Sequence, residues 1–137
     1  MTHGLVRASL VALLGLSAAC LSWAATIQVQ PGQNLAAAVQ SAAPGDVVEV
    51  QRGMYRANLL IDKPITLRGI DRPTLSGGLT GDTIRVTAPD VVIEGLIVRD
   101  SGSSLKEQNA GIYLYPGAHR AVVQNCDLTY NLFGLWI

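Results

Sequence analysis

The chain has 137 residues, with 10 Lys and Arg balanced by 10 Asp and Glu. Charged residues make up 15% of it and hydrophobic residues 49%, against about 25% charged in an ordinary globular chain. These values exclude a disordered chain and give no basic excess for nucleic acid. Two cysteines are too few for a disulfide scaffold, and the length is that of one domain.

Arg7 is followed by no charged residue until Asp46, and residues 10–25 are Leu/Ala-rich. Ser22-Trp23-Ala24 then supplies small residues at the two positions a signal peptidase reads. Residues 1–24 are therefore expected to be a cleaved secretory signal. Residues 25–137 are expected to form the mature domain, working in the periplasm. The apolar run is shorter than the roughly 20 residues of a comfortable bilayer span. Ser17-Ala18-Ala19-Cys20 is a poor lipoprotein box because Leu16 sits one place too early; lipidation at Cys20 is the minor alternative. After a cut at Ala24, Cys126 has no cysteine partner within the chain.

Thr26-Ile27-Gln28-Val29 alternates like a short strand, and Pro31-Gly32 makes a turn. Asn34 is placed to cap a helix over residues 35–42, with Leu35, Val39 and Ala42 on one face. Pro44-Gly45-Asp46 stops it. So short a helix is marginal alone and needs an apolar surface to sit on. After Asp46 the helical period does not return. Val48 and Val50, Leu59 and Ile61, Ile65 and Leu67, Ile84 and Val86, Val91 and Ile93 alternate in pairs separated by turn residues, which reads as very short strands.

The pairs repeat. Residues 58–69 align with 83–95, so that Leu59 matches Ile84, Ile61 matches Val86, Ile65 matches Val91, Leu67 matches Ile93 and Gly69 matches Gly95. Lys63-Pro64 matches Pro89-Asp90, with one residue inserted. A third copy has Ile112 and Leu114, then Ala121 and Val123, with Asn125 at the glycine position. A fourth begins at Gly134 with Leu135 and Ile137. A period in the twenties with several short strands and no helix per repeat predicts an all-β parallel β-helix, in which the leading helix caps the first coil. Inward residues then stack as Ile/Val/Leu ladders, with Ile61, Val86 and Leu114 in one of them. Tyr113, Tyr115 and Trp136 face outward, and Asn125, Asn131 and the glycines take the corners. A β-sandwich is the competing architecture, but its hairpins favour Asn-Gly or Asp-Gly turns, and neither occurs. Ile137 breaks off within an apolar pair, so the chain is expected to be the N-terminal part of a longer solenoid.

Several runs carry a family resemblance. Pro44-Gly45-Asp46, Gly53-Met54-Tyr55, Asn58 and the run from Ile61 to Leu67 resemble the start of secreted β-helix proteins of the carbohydrate-binding and sugar-hydrolase type. Ala88-Pro89-Asp90-Val91-Val92-Ile93, Gly95-Leu96, Ser101-Gly102, Ala110-Gly111-Ile112, Arg120-Ala121-Val122-Val123 and Asn131-Leu132-Phe133-Gly134 are more specific. Together they resemble the NosD family of periplasmic accessory proteins for nitrous oxide reductase maturation. The resemblance covers nearly the whole mature chain. It implies a right-handed β-helix that works with a membrane ABC transporter complex and supports assembly of the copper–sulfur centre of the reductase. Its implied partners are that transporter and nitrous oxide reductase or a copper chaperone.

The residues assign no metal, cofactor or catalytic site. Cu(I) needs soft ligands, and the mature chain offers Met54 in a predicted turn, His119 in a corner loop and Cys126, which aligns with Leu96 and reads as packing. No two of them have metal-ligand spacing, so copper is expected in the rest of a longer protein or shared with a partner. Enzymes on this fold need clustered carboxylates. Asp62, Asp71, Asp82, Asp90, Glu94, Asp100, Glu107 and Asp127 are scattered instead, with Glu94 and Asp127 on neighbouring coils but two places out of register. Arg68, Arg72, Arg85 and Arg99 either form an outer basic stripe or are separately solvated. Gly77-Gly78 is a loop without the helix that a phosphate cradle requires. The expectation is a non-enzymatic maturation factor, with a periplasmic polysaccharide lyase, hydrolase or epimerase as the alternative.

Overall fold

A computed structural model describes residues 23–137. The predicted signal and Cys20 thus lie outside the described residues, apart from Trp23 and Ala24. The described residues open with β1 (Thr26–Val29) and a helix, α1 (Leu35–Ser41). Asn34 has extended backbone, and its side-chain oxygen accepts a hydrogen bond from the Ala37 amide at 2.9 Å, so one of the helix's orphan donors is satisfied. Leu35, Val39 and Ala42 are all buried. Their face packs on β1, β2 and β4, which supplies the apolar support the helix needs.

Twelve further strands follow: β2 (Val47–Val50), β3 (Met54–Arg56), β4 (Leu59–Ile61), β5 (Thr66–Gly69), β6 (Thr74–Ser76), β7 (Ile84–Val86), β8 (Val92–Glu94), β9 (Ile97–Arg99), β10 (Ala110–Leu114), β11 (Val122–Gln124), β12 (Asp127–Thr129) and β13 (Phe133–Trp136). They form three sheets, ordered β1-β2-β5-β8-β11, β3-β6-β9-β12 and β4-β7-β10-β13. Neighbouring strands pair in parallel, as in β1 with β2, β4 with β7 and β6 with β9. The chain visits each sheet once per circuit and returns one rung along. This is a parallel β-helix.

The register follows the repeat. Leu59 pairs with Ile84 and Ile61 with Val86, Ile112 with Ile84 and Leu114 with Val86, and Leu67 with Ile93, which in turn pairs with Val123. Leu67, Ile84, Val86 and Ile112 are fully buried, so burial is continuous from rung to rung. The second sheet is the part that the alternating pairs did not reveal. Its strands have three residues, and only Tyr55, Leu75, Val98 or Leu128 points inward from each. One inward residue cannot produce an alternation. Met54, expected in a turn, begins one of these strands.

Turns are unequal in length. Gln28 and Glu49 are 21 residues apart, Arg68 and Glu94 are 26 apart, and Glu94 and Gln124 are 30 apart. The growth is partly in the connections β6–β7 and β9–β10, between the second and third sheets. The first of these is held by Asn58, whose amide donates to the carbonyls of Gly77, Thr80 and Asp82 at 3.2, 2.8 and 2.9 Å.

Corners use left-handed backbone. Asp90, Gly95 and Asp100 have positive φ, and so do Arg120, Asn125 and Tyr130 on the next turn. The three corners of one circuit therefore recur in phase on the next. Asn125 takes its expected corner, but at the following one the left-handed residue is Tyr130 rather than Asn131. The Asn131 side chain instead bridges rungs, accepting from the Ser101 amide at 3.1 Å and donating to the Val98 carbonyl at 3.0 Å. Glycine is needed at position 69 because a Cβ there would lie 2.2 Å from the Gly95 carbonyl oxygen.

The register gives a stability test. Ile61 is 1% exposed and the adjacent Leu60 is 39% exposed. Ile61→Ala should cost about 2–5 kcal/mol in denaturant unfolding. Leu60→Gln, on the outer face, should stay within about 0.5 kcal/mol. Equal losses would contradict the inward ladder.

Candidate partner-binding face

In a parallel stack, equivalent side chains of successive turns lie directly above one another, about 4.8 Å apart. On the outside of the first sheet this builds one polar column, in which Gln28, Glu49, Arg68, Glu94 and Gln124 pair in register. Gln28 donates to Glu49 at 2.5 Å, Arg68 to Glu94 at 2.6 Å, and Gln124 to Glu94 at 2.7 Å. Arg68 also lies 3.6 Å from Glu49. The Arg68 hydrogen bond, followed by that from Gln124, holds the Glu94 carboxyl below its ordinary range despite partial burial.

Four of the other candidate acids are also held by arginines. Asp127 pairs with Arg72 at 2.7 Å, Asp82 with Arg85 at 3.5 Å and Asp100 with Arg99 at 3.0 Å. Arg120 grips Asp90 with two hydrogen bonds of 2.6 and 2.9 Å, and the first of these interactions lowers the Asp90 carboxyl. Asp62, Asp71 and Glu107 lie at three different corners. Arg68 is on the first sheet, Arg72 at the next corner, Arg99 on the second sheet and Arg85 on the third. The four arginines therefore make no stripe. Glu94 pairs with Gln124, three residues before Asp127 rather than two. A general acid working near neutrality needs a raised carboxyl pKa; Glu94 and Asp90 are moved the other way.

The soft donors stay apart. Met54 is on the first circuit in the second sheet, His119 lies between β10 and β11, and Cys126 lies between β11 and β12. Among the described residues, no group of three or more His, Cys, Asp and Glu side chains is placed to hold a metal ion. Among the described residues the soft donors do not come together as a copper site. Cys126 packs against the core with its sulfur 3.3 Å from the Gln124 carbonyl oxygen. Burial raises its thiol pKa, which disfavours the thiolate needed for metal or nucleophilic chemistry. A shallow groove between β1 and α1, lined by Ile27, Val29, Asn34 and Ala37, contains no acid or base.

The outside of the third sheet is different in kind. Leu60, Arg85, Tyr113 and Trp136 form its column. The Tyr113 and Tyr115 rings are 4.1 Å apart, Tyr113 and Trp136 are 6.5 Å apart in an edge-on contact, and Phe133 lies 4.5 Å from Trp136. The Arg85 guanidinium lies 5.3 Å from the Tyr115 ring centre, within cation–π range. Tyr113 donates its hydroxyl to Gln108 at 3.1 Å. Tyr113, Tyr115 and Trp136 are half-buried, and partial burial raises the Tyr115 hydroxyl pKa. Sequence reading found the three outward aromatics, but Phe133 and the bracing by Arg85 and Gln108 needed the three-dimensional corner. Ordered aromatic rings with polar handles are the residue types enriched at protein interfaces.

The chain is similar to two curated proteins named probable ABC transporter binding protein NosD. It is 35% identical to the one from Pseudomonas aeruginosa and 27% identical to the one from Stutzerimonas stutzeri, in each case over 85 residues. This chain is a NosD-like β-helix. The alignment covers 62% of the chain and 20% of each relative. No family model and no solved structure matches. In this NosD-like chain the polar column and the aromatic column occupy different faces of one solenoid.

The polar column has a pH signature. The folded-state pKa of Glu94 is depressed, so its stabilisation is present above the ordinary value of 4.5 and is lost as pH falls through the lower folded value. Arg68→Gln should move the Glu94 titration, followed by NMR, upward toward 4.5. An unchanged titration would remove Arg68 as the main cause. For Cys126, alkylation at neutral pH should be slower than for an unhindered thiol and should accelerate above pH 9, the ordinary thiol value from which burial raises it.

Proposed function

We propose that this chain belongs to an exported accessory protein that docks on an ABC transporter and supports assembly of the copper–sulfur centre of nitrous oxide reductase. The observation that carries the reading is the 35% identity to a relative named ABC transporter binding protein NosD. The expected signal at residues 1–24 supports action in the periplasm. The dispersed soft donors support a scaffolding role for this part of the chain, with copper held by a partner or by other parts of a longer protein. The arginine-held acids favour a non-enzymatic role over carbohydrate cleavage.

The third-sheet face is the docking surface in this proposal. Its occupant is a protein of the transporter assembly. An aromatic face already braced by its own contacts loses little side-chain freedom on binding, whereas the polar column has its charges satisfied within the chain. Deleting the gene should leave the reductase exported but lacking its copper–sulfur centre, so that cells accumulate nitrous oxide while still reducing nitrate and nitrite. Normal nitrous oxide reduction would overturn the maturation role. Replacing Tyr113 and Tyr115 together by Ser should reduce co-purification with the transporter while leaving the denaturation midpoint nearly unchanged. Full co-purification would exclude this face as the docking surface.

A further inference from the structure

We propose that the Asp46 carboxylate is a preformed receptor for the α-ammonium group that cleavage after Ala24 creates on Ala25. The inference rests on the export reading above, because it needs the signal to be removed at that bond. It concerns a different end of the molecule from the docking face.

The Ala25 nitrogen donates to Asp46 Oδ1 at 2.8 Å, and the Ala43 amide donates to Asp46 Oδ2 at 2.9 Å. Asp46 is 7% exposed, and its backbone is fixed on both sides. Its N–H donates to the Ala43 carbonyl at 3.0 Å, and its carbonyl accepts from Thr66 at 3.0 Å. Ala25 is fixed too, because its carbonyl accepts from Val47 at 2.9 Å immediately before Thr26 pairs with Val47. Trp23 and Ala24 are exposed, whereas Ala25 is half-buried. The transition from exposed to anchored chain therefore falls at the 24–25 peptide bond.

Hydrolysis of that bond by a signal peptidase adds one water. The water oxygen goes to the Ala24 carbonyl carbon, which leaves as a carboxylate, and the Ala25 nitrogen becomes an ammonium group. In the uncut chain Ala25 offers Asp46 a neutral amide. In the cut chain it offers a positive charge at the same place, and charge-assisted hydrogen bonds are about twice as strong as neutral ones. A cut one residue later would put the charge on Thr26, within β1. A lipidated start at Cys20 would leave Ala25 as an amide.

Among the described residues, the elements around this site carry few charged groups. Helix α1 contains none. The adjacent corner carries Asp62 and Lys63, with the Lys63 ammonium directed at the Gln40 carbonyl. On β2, Glu49 is engaged by Gln28 and Arg68. Asp46 is thus the carboxylate bonded to the Ala25 nitrogen. An ammonium paired with it has its folded-state pKa raised above the ordinary value of about 7.7–8.0, because the carboxylate favours the charged form. The added stability is fully present below the ordinary value and is lost as pH rises through the raised one.

The test uses the exported, processed full-length protein. N-terminal sequencing fixes the first residue, and NMR of selectively ¹⁵N-labelled alanine gives the α-amino titration. The expected result is a start at Ala25 with a raised pKa that returns to the ordinary range in Asp46→Asn. A second form keeps one extra residue ahead of Ala25. It leaves Asp46 intact, and its displaced amino group should titrate normally even if Asp46→Asn does not fold. A start at Ala25 with an ordinary pKa would overturn the ion pair and leave the cleavage reading standing. A start at any other residue would overturn both.

Discussion

Everything outward and inward in this molecule depends on the vertical spacing of its rungs. Parallel strands about 4.8 Å apart place each side chain on its equivalent one turn below, so no residue is chosen independently. Inside, an apolar residue must sit on another, as Leu59 sits on Ile84 and Ile84 on Ile112. Outside, two like charges on successive rungs would repel by roughly 1 kcal/mol in water and about 4 kcal/mol at the effective dielectric of a protein surface. The Glu49, Arg68, Glu94 column alternates in sign. The spacing that would cause repulsion is thereby turned to attraction, though screening keeps each exposed pair to about 1 kcal/mol or less.

The corners meet the same demand by different means. A left-handed residue other than glycine costs about 1–2 kcal/mol, yet Asp90 and Arg120, stacked at one corner, both adopt it. Their mutual hydrogen bonds join the two rungs where the backbone turns. At another corner, left-handed Asp100 accepts from both Ser76 and Arg99, and the Arg99 guanidinium lies 4.5 Å from the ring centre of left-handed Tyr130 one turn on. The price of a sharp turn is offset by contacts that only such a turn can make. This explains why charged residues, and not only Asn and Gly, occupy the corners.

Most of the architecture was legible from the linear sequence because inward residues of the first and third sheets come in pairs. Leu59 and Ile61, like Ile84 and Val86, stay at alternate positions within each circuit even though the circuits differ in length. The second sheet was not legible, since a three-residue strand with a lone Leu75 or Val98 facing inward resembles a loop. Burial of Leu35, Val39 and Ala42 followed from helical spacing. Charge pairing was harder to see. Arg72 reaches Asn125, 53 residues along the chain, and pairs with Asp127 beside it, and such pairs depend on how corners fold over one another. The outward aromatics could be named from the repeat. Their mutual contacts depended on Phe133 and Gln108, which the repeat does not bring together.

The distribution of charge separates recognition from catalysis on this scaffold. A catalytic groove keeps an acid poised by burying it or by placing another acid beside it. Here arginine hydrogen bonds hold Glu94 and Asp90 ionised, while burial is the leading cause of the raised pKa values of Tyr55, Tyr115 and Cys126. Burial stabilises the neutral forms of these groups and so strengthens packing without preparing a proton transfer. The same turns that neutralise the first sheet leave the third with aromatic rings already braced by Arg85 and Gln108. A rigid solenoid can thus give one face to internal electrostatic cohesion and another to a partner, with the same rung spacing organising both.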